Sequence, residues 1–222
     1  MVKEKIKSPF SWLFRFRLLR ESIWQSVINM SPLEVKTILD IGCGNKPYKS
    51  FFEHGKYIGL DLPTSNSEGN CADIYGNGLE LPFKRHTFDC VICTEVIEHV
   101  PDSTALLTQV HNVLANGGTL ILSAPFFWPV HEEPLDFYRF TEFGLCQLLK
   151  NNGFSVISIK KRGGFWSMVV MLFAEYIRSD NRVANTLGDL FFAGAQIVAR
   201  SVDSRFPSNR YALGWTVKAL KI

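Results

Sequence analysis

TILDIGCGNKP, residues 37–47, decides how this chain folds. Thr37 to Ile41 is a short β-branched and leucine run that reads as a strand, and Gly42 and Gly44 then open a tight turn. A strand that empties into a glycine turn is how open α/β sheets bring their backbone close to a cofactor. The turn alone does not name that cofactor. A dinucleotide turn needs a third glycine, and position 47 is Pro. A P-loop needs Gly-Lys-Ser or Gly-Lys-Thr, and neither follows.

Outward from this stretch, strands and helices alternate. Tyr57 to Leu60 reads as a second strand ending at Asp61, followed by a polar loop, PTSNSEGN, with no room for a helix. CADIY (71–75) reads as a third strand with Asp73 near its end, FDCVICT (88–94) as a fourth and TLILSAP (119–125) as a fifth. FSVISIK (154–160) and GWTVKALK (214–221) complete seven. Helices are expected around 47–54, over 102–115 until Gly117 and Gly118 break it, and from a Thr141 cap to Lys150. Nearly continuous apolar strands between helices predict a mostly parallel sheet covered on both faces.

Two regions stand outside the alternation. Residues 10–30 repeat apolar side chains at helical spacing until Ser31 and Pro32 end the pattern. FWSMVVMLFAEYI (165–177) and VANTLGDLFFAGAQIVA (183–199) are helix-like and richer in large apolar residues than a helix on a sheet needs. The expected organisation is a basic amphipathic helical arm (1–32) and one α/β domain (33–222) with a helical insertion at about 163–205.

Composition sets outer bounds. A net charge of +3 in 222 residues is too small for a nucleic-acid partner. Five cysteines without framework spacing predict free thiols in a reducing, cytoplasmic compartment. Cys90 and Cys93 fall on opposite faces of one strand, which argues against a redox or zinc pair. No apolar run reaches the roughly 18 residues of a span, and the N-terminus does not read as a signal peptide. The arm nevertheless mixes Lys3, Lys5, Lys7, Arg15, Arg17 and Arg20 with Trp12, Phe14, Phe16 and Trp24. With the apolar insertion it suggests peripheral contact with the inner face of the membrane or a homodimer; the alternative is that arm and insertion pack on each other.

Asp61 lies about twenty residues beyond the glycine turn, where a strand-end carboxylate reaches ribose hydroxyls. With Asp40 and Asp73 it makes an acidic edge that suits a cationic or zwitterionic cofactor rather than a phosphate-rich one. At this point the order ILDIGCG, GLDL (59–62), ADI with LELPF, FDCVICTEVIEHV and LANGGTLILSAP resembles the class I S-adenosylmethionine-dependent methyltransferases, in the small bacterial type-11-like branch with LPF and EVIEH signatures. The resemblance covers roughly residues 36–160. It implies a seven-stranded, mostly parallel Rossmann-like sheet with an antiparallel last strand. It also implies S-adenosyl-L-methionine as cofactor and S-adenosyl-L-homocysteine as product. By that resemblance Asp40, Gly42 and Gly44 line the methionine moiety, Asp61 with Leu62 holds the ribose, Asp73 and Ile74 border the adenine, and Glu95 closes the pocket under the methionine end.

The acceptor is expected beyond the fourth and fifth strands. Glu95, Glu98 and His99 share one face if EVIEH is a helical turn, and with His131 they offer a set for a divalent metal. Similar pieces hold metal in some relatives and none in many others, so no metal is favoured. FFWPVHEEPLDFYRFT (126–141) interleaves aromatic and polar groups as a substrate loop does, with Trp128, His131, Tyr138 and Arg139 as substrate candidates. His131 is the general-base candidate, with Glu95 beside it as the second catalytic residue. The leading expectation is O-methylation of a small-molecule, glycan or lipid-linked acceptor. The alternatives are metal-assisted RNA-end or quinone-precursor methylation and a non-catalytic cofactor-binding scaffold.

Overall fold

Ile38 to Ile41 are buried on both sides of one strand, and the architecture follows from that. In the computed structural model, which describes residues 17–32, 34–63, 71–177 and 182–222, Leu39 and Ile41 face one apolar layer while Ile38 faces another. The strands are β1 (Thr37–Ile41), β2 (Lys56–Asp61), β3 (Ile74–Tyr75), β4 (Phe88–Thr94), β5 (Leu114–Pro125), β6 (Phe154–Arg162) and β7 (Gly214–Lys221). They form one seven-stranded sheet in the order β3-β2-β1-β4-β5-β7-β6. β1 to β5 run parallel, and β7 is antiparallel to both β5 and β6. The expected fold is therefore the observed one.

Helices cover both faces. α1 (Arg17–Met30) buries Ile23, Trp24, Val27 and Ile28 in the layer that holds Ile38, Cys90 and Ile121. α2 (Ser103–Val113) and α3 (Glu142–Asn151) bury Leu106, Leu107, Leu145 and Leu149 in the layer that holds Leu39 and Cys93. Cys90 and Cys93 thus lie on opposite faces as their spacing implied. Asp102 caps α2 by accepting the Ala105 N–H at 2.8 Å, and Thr141 caps α3 by accepting the Gly144 N–H at 3.0 Å.

Three local expectations change. The helix expected at 47–54 is a single 3-10 turn, Lys49–Phe51, because Tyr48 and Phe52 turn inward and the Trp24 indole ties down the Pro47 carbonyl at 3.1 Å. Gly117 and Gly118 do not end a helix; α2 stops at Val113, and the glycines lie inside the start of β5, with Gly117 at φ 70°. Asp73 precedes β3 rather than ending it, since the chain is held beside the glycine turn by the Cys71 N–H on the Gly44 carbonyl at 3.0 Å.

The insertion is a helical hairpin, α4 (Phe165–Tyr176) and α5 (Arg182–Arg205), packed together and held to the sheet through Met168, Met171 and Leu213. Asp203 of α5 caps α4 by accepting the Trp166 and Ser167 N–H groups, each at 2.9 Å. The expectation that arm and insertion form a membrane-surface contact or a homodimer through apolar helices is overturned. Among the described residues no helix is long and apolar enough to cross a membrane. The apolar stripe of α1 is used against the sheet, and α5 contacts both α4 and α1. Lys3, Lys5, Lys7, Trp12, Phe14, Arg15 and Phe16 lie outside the described residues.

Candidate active site

The carboxyl ends of β1, β2, β4 and β5 share one edge of the sheet, and the candidate residues gather there. At the β1 turn Gly42 and Gly44 have φ values of 68° and 48°. A Cβ on Gly42 would sit 2.3 Å from Val96 Cγ2, whereas one on Gly44 would meet nothing within 4 Å. Gly42 thus serves packing, and Gly44 leaves an open side where a cofactor can approach the backbone.

Asp61 turns back over that opening. Its Oδ2 accepts the Gly44 N–H at 2.9 Å and its Oδ1 accepts the Leu62 N–H at 2.8 Å. A carboxylate has about four acceptor positions, so two stay available for ribose hydroxyls. Asp40 is buried beneath the turn, on the same side of β1 as Ile38. The Tyr57 hydroxyl donates to its Oδ2, and its Oδ1 has no partner. Burial raises its pKa to about 7 despite the Tyr57 hydrogen bond. Asp73 accepts the Gly59 N–H at 2.8 Å and pairs with Lys46 at 2.6 Å. Against the cost of burial, these partners hold its carboxyl below the usual range. Ile74 begins β3 half-buried, and Leu62 is exposed. These residues fit a ligand with one cationic end and one pair of vicinal hydroxyls.

Glu95 follows β4 with φ 52°. Its Oε1 accepts Ser123 Oγ and Arg162 Nη2, each at 2.7 Å. Arg162, 2% exposed, also donates to the Ala124 carbonyl at 2.9 Å. Glu95 is therefore fixed toward β5 and β6, and it does not join Glu98, His99 and His131. Those three can bring one ligand atom each within 4.8 Å of one another. Glu98 is fully buried with neither carboxylate oxygen hydrogen-bonded, and burial followed by the charge of Glu95 raises its pKa well above the usual range.

The loop after β5 supplies the rest. His99 Nδ1 lies 2.8 Å from the Leu135 carbonyl, and the His99 and His131 rings meet edge to face at 4.7 Å. Asp136 Oδ2 lies 3.2 Å from His131 Nδ1 and accepts the His131 backbone N–H at 2.9 Å. Arg139 grips Asp136 through two 2.6 Å hydrogen bonds and holds the Asp136 carboxyl far below the usual range, with His131 adding to the effect. Arg139 also donates to the Trp128 and Pro129 carbonyls, so it fixes the loop, and the Tyr138 hydroxyl donates to the Pro101 carbonyl at 2.7 Å. A cavity of about 310 Å³ joins both halves, lined by Asn45, Tyr48, Thr94 and Glu95 on one side and His99, Trp128 and His131 on the other. Of the four substrate candidates, Trp128 and His131 line it; Tyr138 and Arg139 do not.

Sequence reasoning passed over Lys46, Tyr57 and Arg162 as parts of the site. Lys46 carried a signal, as a cation two residues past Gly44 in an acidic neighbourhood. Arg162 carried none, since its partner is 67 residues away.

The family model described as a methyltransferase domain matches residues 12–159. The fatty-acid O-methyltransferase of Mycolicibacterium smegmatis is 32% identical over 111 residues, 43% of this chain and 39% of that protein. The ubiquinone biosynthesis O-methyltransferase of Pseudomonas paraeruginosa is 26% identical over 128 residues, 47% of this chain and 55% of that protein. The chain thus spans about half the length, or less, of these relatives. A crystal structure of an S-adenosylmethionine-dependent methyltransferase from Mesorhizobium loti shares the fold, with a TM-score of 0.59 at 18% identity over 92% of this chain and 100% of that one.

Proposed function

The chain belongs to the family of methyltransferase domains, and from that premise we propose that it moves a methyl group from S-adenosyl-L-methionine to an oxygen of a small-molecule, glycan or lipid-linked acceptor. The observation that carries the oxygen reading is His131, which lines the cavity shared with Thr94 and Glu95 while its Nδ1 meets the Pro129 carbonyl and the Asp136 carboxylate. S-adenosyl-L-methionine supplies an electrophilic methyl carbon on a sulfonium. The residues of the chain do the rest. Gly42, Gly44 and Asp40 receive the amino-acid tail, Asp61 with Leu62 holds the ribose hydroxyls, and Asp73 with Ile74 borders the adenine. Glu95, fixed by Arg162, walls the methionine end. With Nδ1 taken, His131 presents Nε2, which accepts the acceptor hydroxyl's proton as that oxygen is alkylated. Trp128 covers the acceptor, and Tyr138 and Arg139 hold the loop. Both named relatives are O-methyltransferases, whereas a relative from Haemophilus ducreyi is a C-methyltransferase, so the relatives do not decide the acceptor atom and the oxygen reading rests on His131. The arm (1–32) and the domain (33–222, insertion about 163–205) are taken as its parts, and the five free cysteines support a reducing cytoplasmic setting.

The test combines calorimetry with S-adenosyl-L-homocysteine and methyl transfer to a panel of phenols, sugars and fatty acids. Binding by wild type, with transfer lost in His131→Ala but binding retained, is expected. Wild type that does not bind S-adenosyl-L-homocysteine would overturn the reading.

One observation favours a metal-assisted variant of the same reaction: the buried Glu98 carboxylate with no hydrogen-bond partner. His99, with Nδ1 on the Leu135 carbonyl, brings Nε2 to 3.8 Å from Glu98 Oε1, which is how ligating histidines are oriented. Glu98, His99 and His131 would hold the cation, without Glu95. Metal-free purified protein whose activity is indifferent to a chelator rules this variant out.

A further inference from the structure

A second cavity, of about 220 Å³, shares Leu19 and Leu213 with the acceptor cavity and lies where the helical hairpin meets the sheet. α1 contributes Ser22 and Ser26, the end of β6 contributes Lys161 and Arg162, α4 contributes Ser167, and α5 contributes Gln196 and Arg200. Three of these side chains are cationic, and no carboxylate lines the space.

The acids nearby are committed elsewhere. Glu95 occupies Arg162 Nη2 from the acceptor side, and the Asp203 carboxylate is taken up by the N–H groups at the start of α4. The Lys161 ammonium donates to the Ser208 carbonyl, which carries no charge. Arg200 forms no ion pair among the described residues. Arg162 is 2% exposed, yet its Nε and Nη1 have no hydrogen-bond partner. Glu95 balances the charge of Arg162, which leaves the half-buried Lys161 and the exposed Arg200 facing a space with no carboxylate of its own, a setting that favours an anion. The volume falls below the roughly 300 Å³ at which drug-sized ligands fit, so it suits one ionic group rather than a whole nucleotide.

We propose that this cavity is an oxyanion subsite for the acceptor, taking a phosphate or carboxylate group between Arg162, Lys161 and Arg200. Ser26 and Ser167 supply hydroxyl donors, and the acceptor hydroxyl then reaches His131 across the wall formed by Leu19 and Leu213. Arg162 links the two sites, since it lines this cavity while its Nη2 fixes Glu95 on the acceptor side. The assignment of this anion to the acceptor rests on the methyltransferase reading; the existence of the subsite does not.

The experiment is calorimetric titration of the full chain with inorganic phosphate and, separately, with acetate, each with and without saturating S-adenosyl-L-homocysteine. Saturable binding of one anion per chain is expected, with phosphate and acetate separating the two sources. Arg200→Gln and Lys161→Gln, both away from the cofactor residues, should each weaken it at least tenfold and leave S-adenosyl-L-homocysteine affinity unchanged. Arg162→Lys should weaken the anion and also disturb the cofactor through Glu95. Failure of wild type to bind either anion below tens of millimolar, or equal binding in the two Gln variants, overturns the subsite. If the anion binds as expected but S-adenosyl-L-homocysteine does not, the subsite stands and its assignment to an acceptor falls.

Discussion

The two halves of the crevice are held together differently. On the β1–β2 side Asp61 is fastened to the Gly44 and Leu62 N–H groups and Asp73 to the Gly59 N–H, with side-chain partners for Asp73 in Lys46 and for Asp40 in Tyr57. On the β4–β5 side the groups are fastened to other side chains, His131 to Asp136, Asp136 to Arg139, Glu95 to Arg162. Backbone anchors come with the sheet register and stay put when a neighbouring side chain is replaced. Side-chain anchors depend on each partner in turn, so that half of the crevice can be retuned by single substitutions.

Single substitutions should therefore have separable effects on the two halves. The largest is expected at His131. His131→Ala should lower turnover by about 10²–10³-fold with S-adenosyl-L-homocysteine affinity intact; a parallel loss of affinity in calorimetry would erase the distinction between the halves. Asp61→Ala removes two backbone anchors and the ribose contact, so S-adenosyl-L-homocysteine should bind about 100-fold more weakly. A change under threefold would mean that Asp61 only braces the turn.

Asp136→Asn should lower turnover about tenfold through His131 while the cofactor half keeps its affinity. It also carries a pH signature. The folded pKa of Asp136 lies below its ordinary value of 3.8, so its stabilisation is present above that value and is lost as pH falls through the depressed pKa. Thermal melts in the acid range should show that loss in wild type and a flatter profile in Asp136→Asn.

Asp40 behaves oppositely. Its pKa rises from 3.8 to about 7, so the folded state holds a proton that the unfolded state has released. Its contribution is present below pH about 4 and is lost as pH rises through about 7. Once ionised it attracts a cationic tail, so S-adenosyl-L-methionine affinity should increase severalfold from pH 6 to 8, and Asp40→Asn should flatten that increase. A flat wild-type profile would detach Asp40 from the cofactor. The smallest effect is expected at the Thr141 cap, where Thr141→Ala should cost about 1 kcal/mol and a few degrees in Tm without altering turnover.

The same division explains what the sequence made legible. Strand positions follow from unbroken apolar runs, and Asp61 follows from the length of one β-turn-β unit, so the sheet and the carboxylate that ends β2 could be read directly. The 3-10 turn at Lys49–Phe51 could not, because its short span reflects Tyr48, Phe52 and Trp24 meeting across the fold. The place of Asp73 depended on how far β3 pairs, which is settled by β2. His131 was visible by type alone. Its support by Asp136 needed the loop's conformation, and Glu95 looked like a partner for His99 until Arg162, from a distant strand, claimed it. The membrane reading failed because apolar content does not say that α1 spends its apolar stripe on the sheet.

β6 ends at Arg162 and β7 begins at Gly214, and these two residues are partners on one rung of the antiparallel ladder. Everything between them, including both helices of the hairpin, therefore leaves and rejoins the sheet at a single point. A segment joined in this way can lengthen, shorten or be exchanged between relatives without moving a strand. A hairpin can therefore be exchanged at this rung while the register of both strands, and with it the carboxyl-edge crevice, is left as it stands.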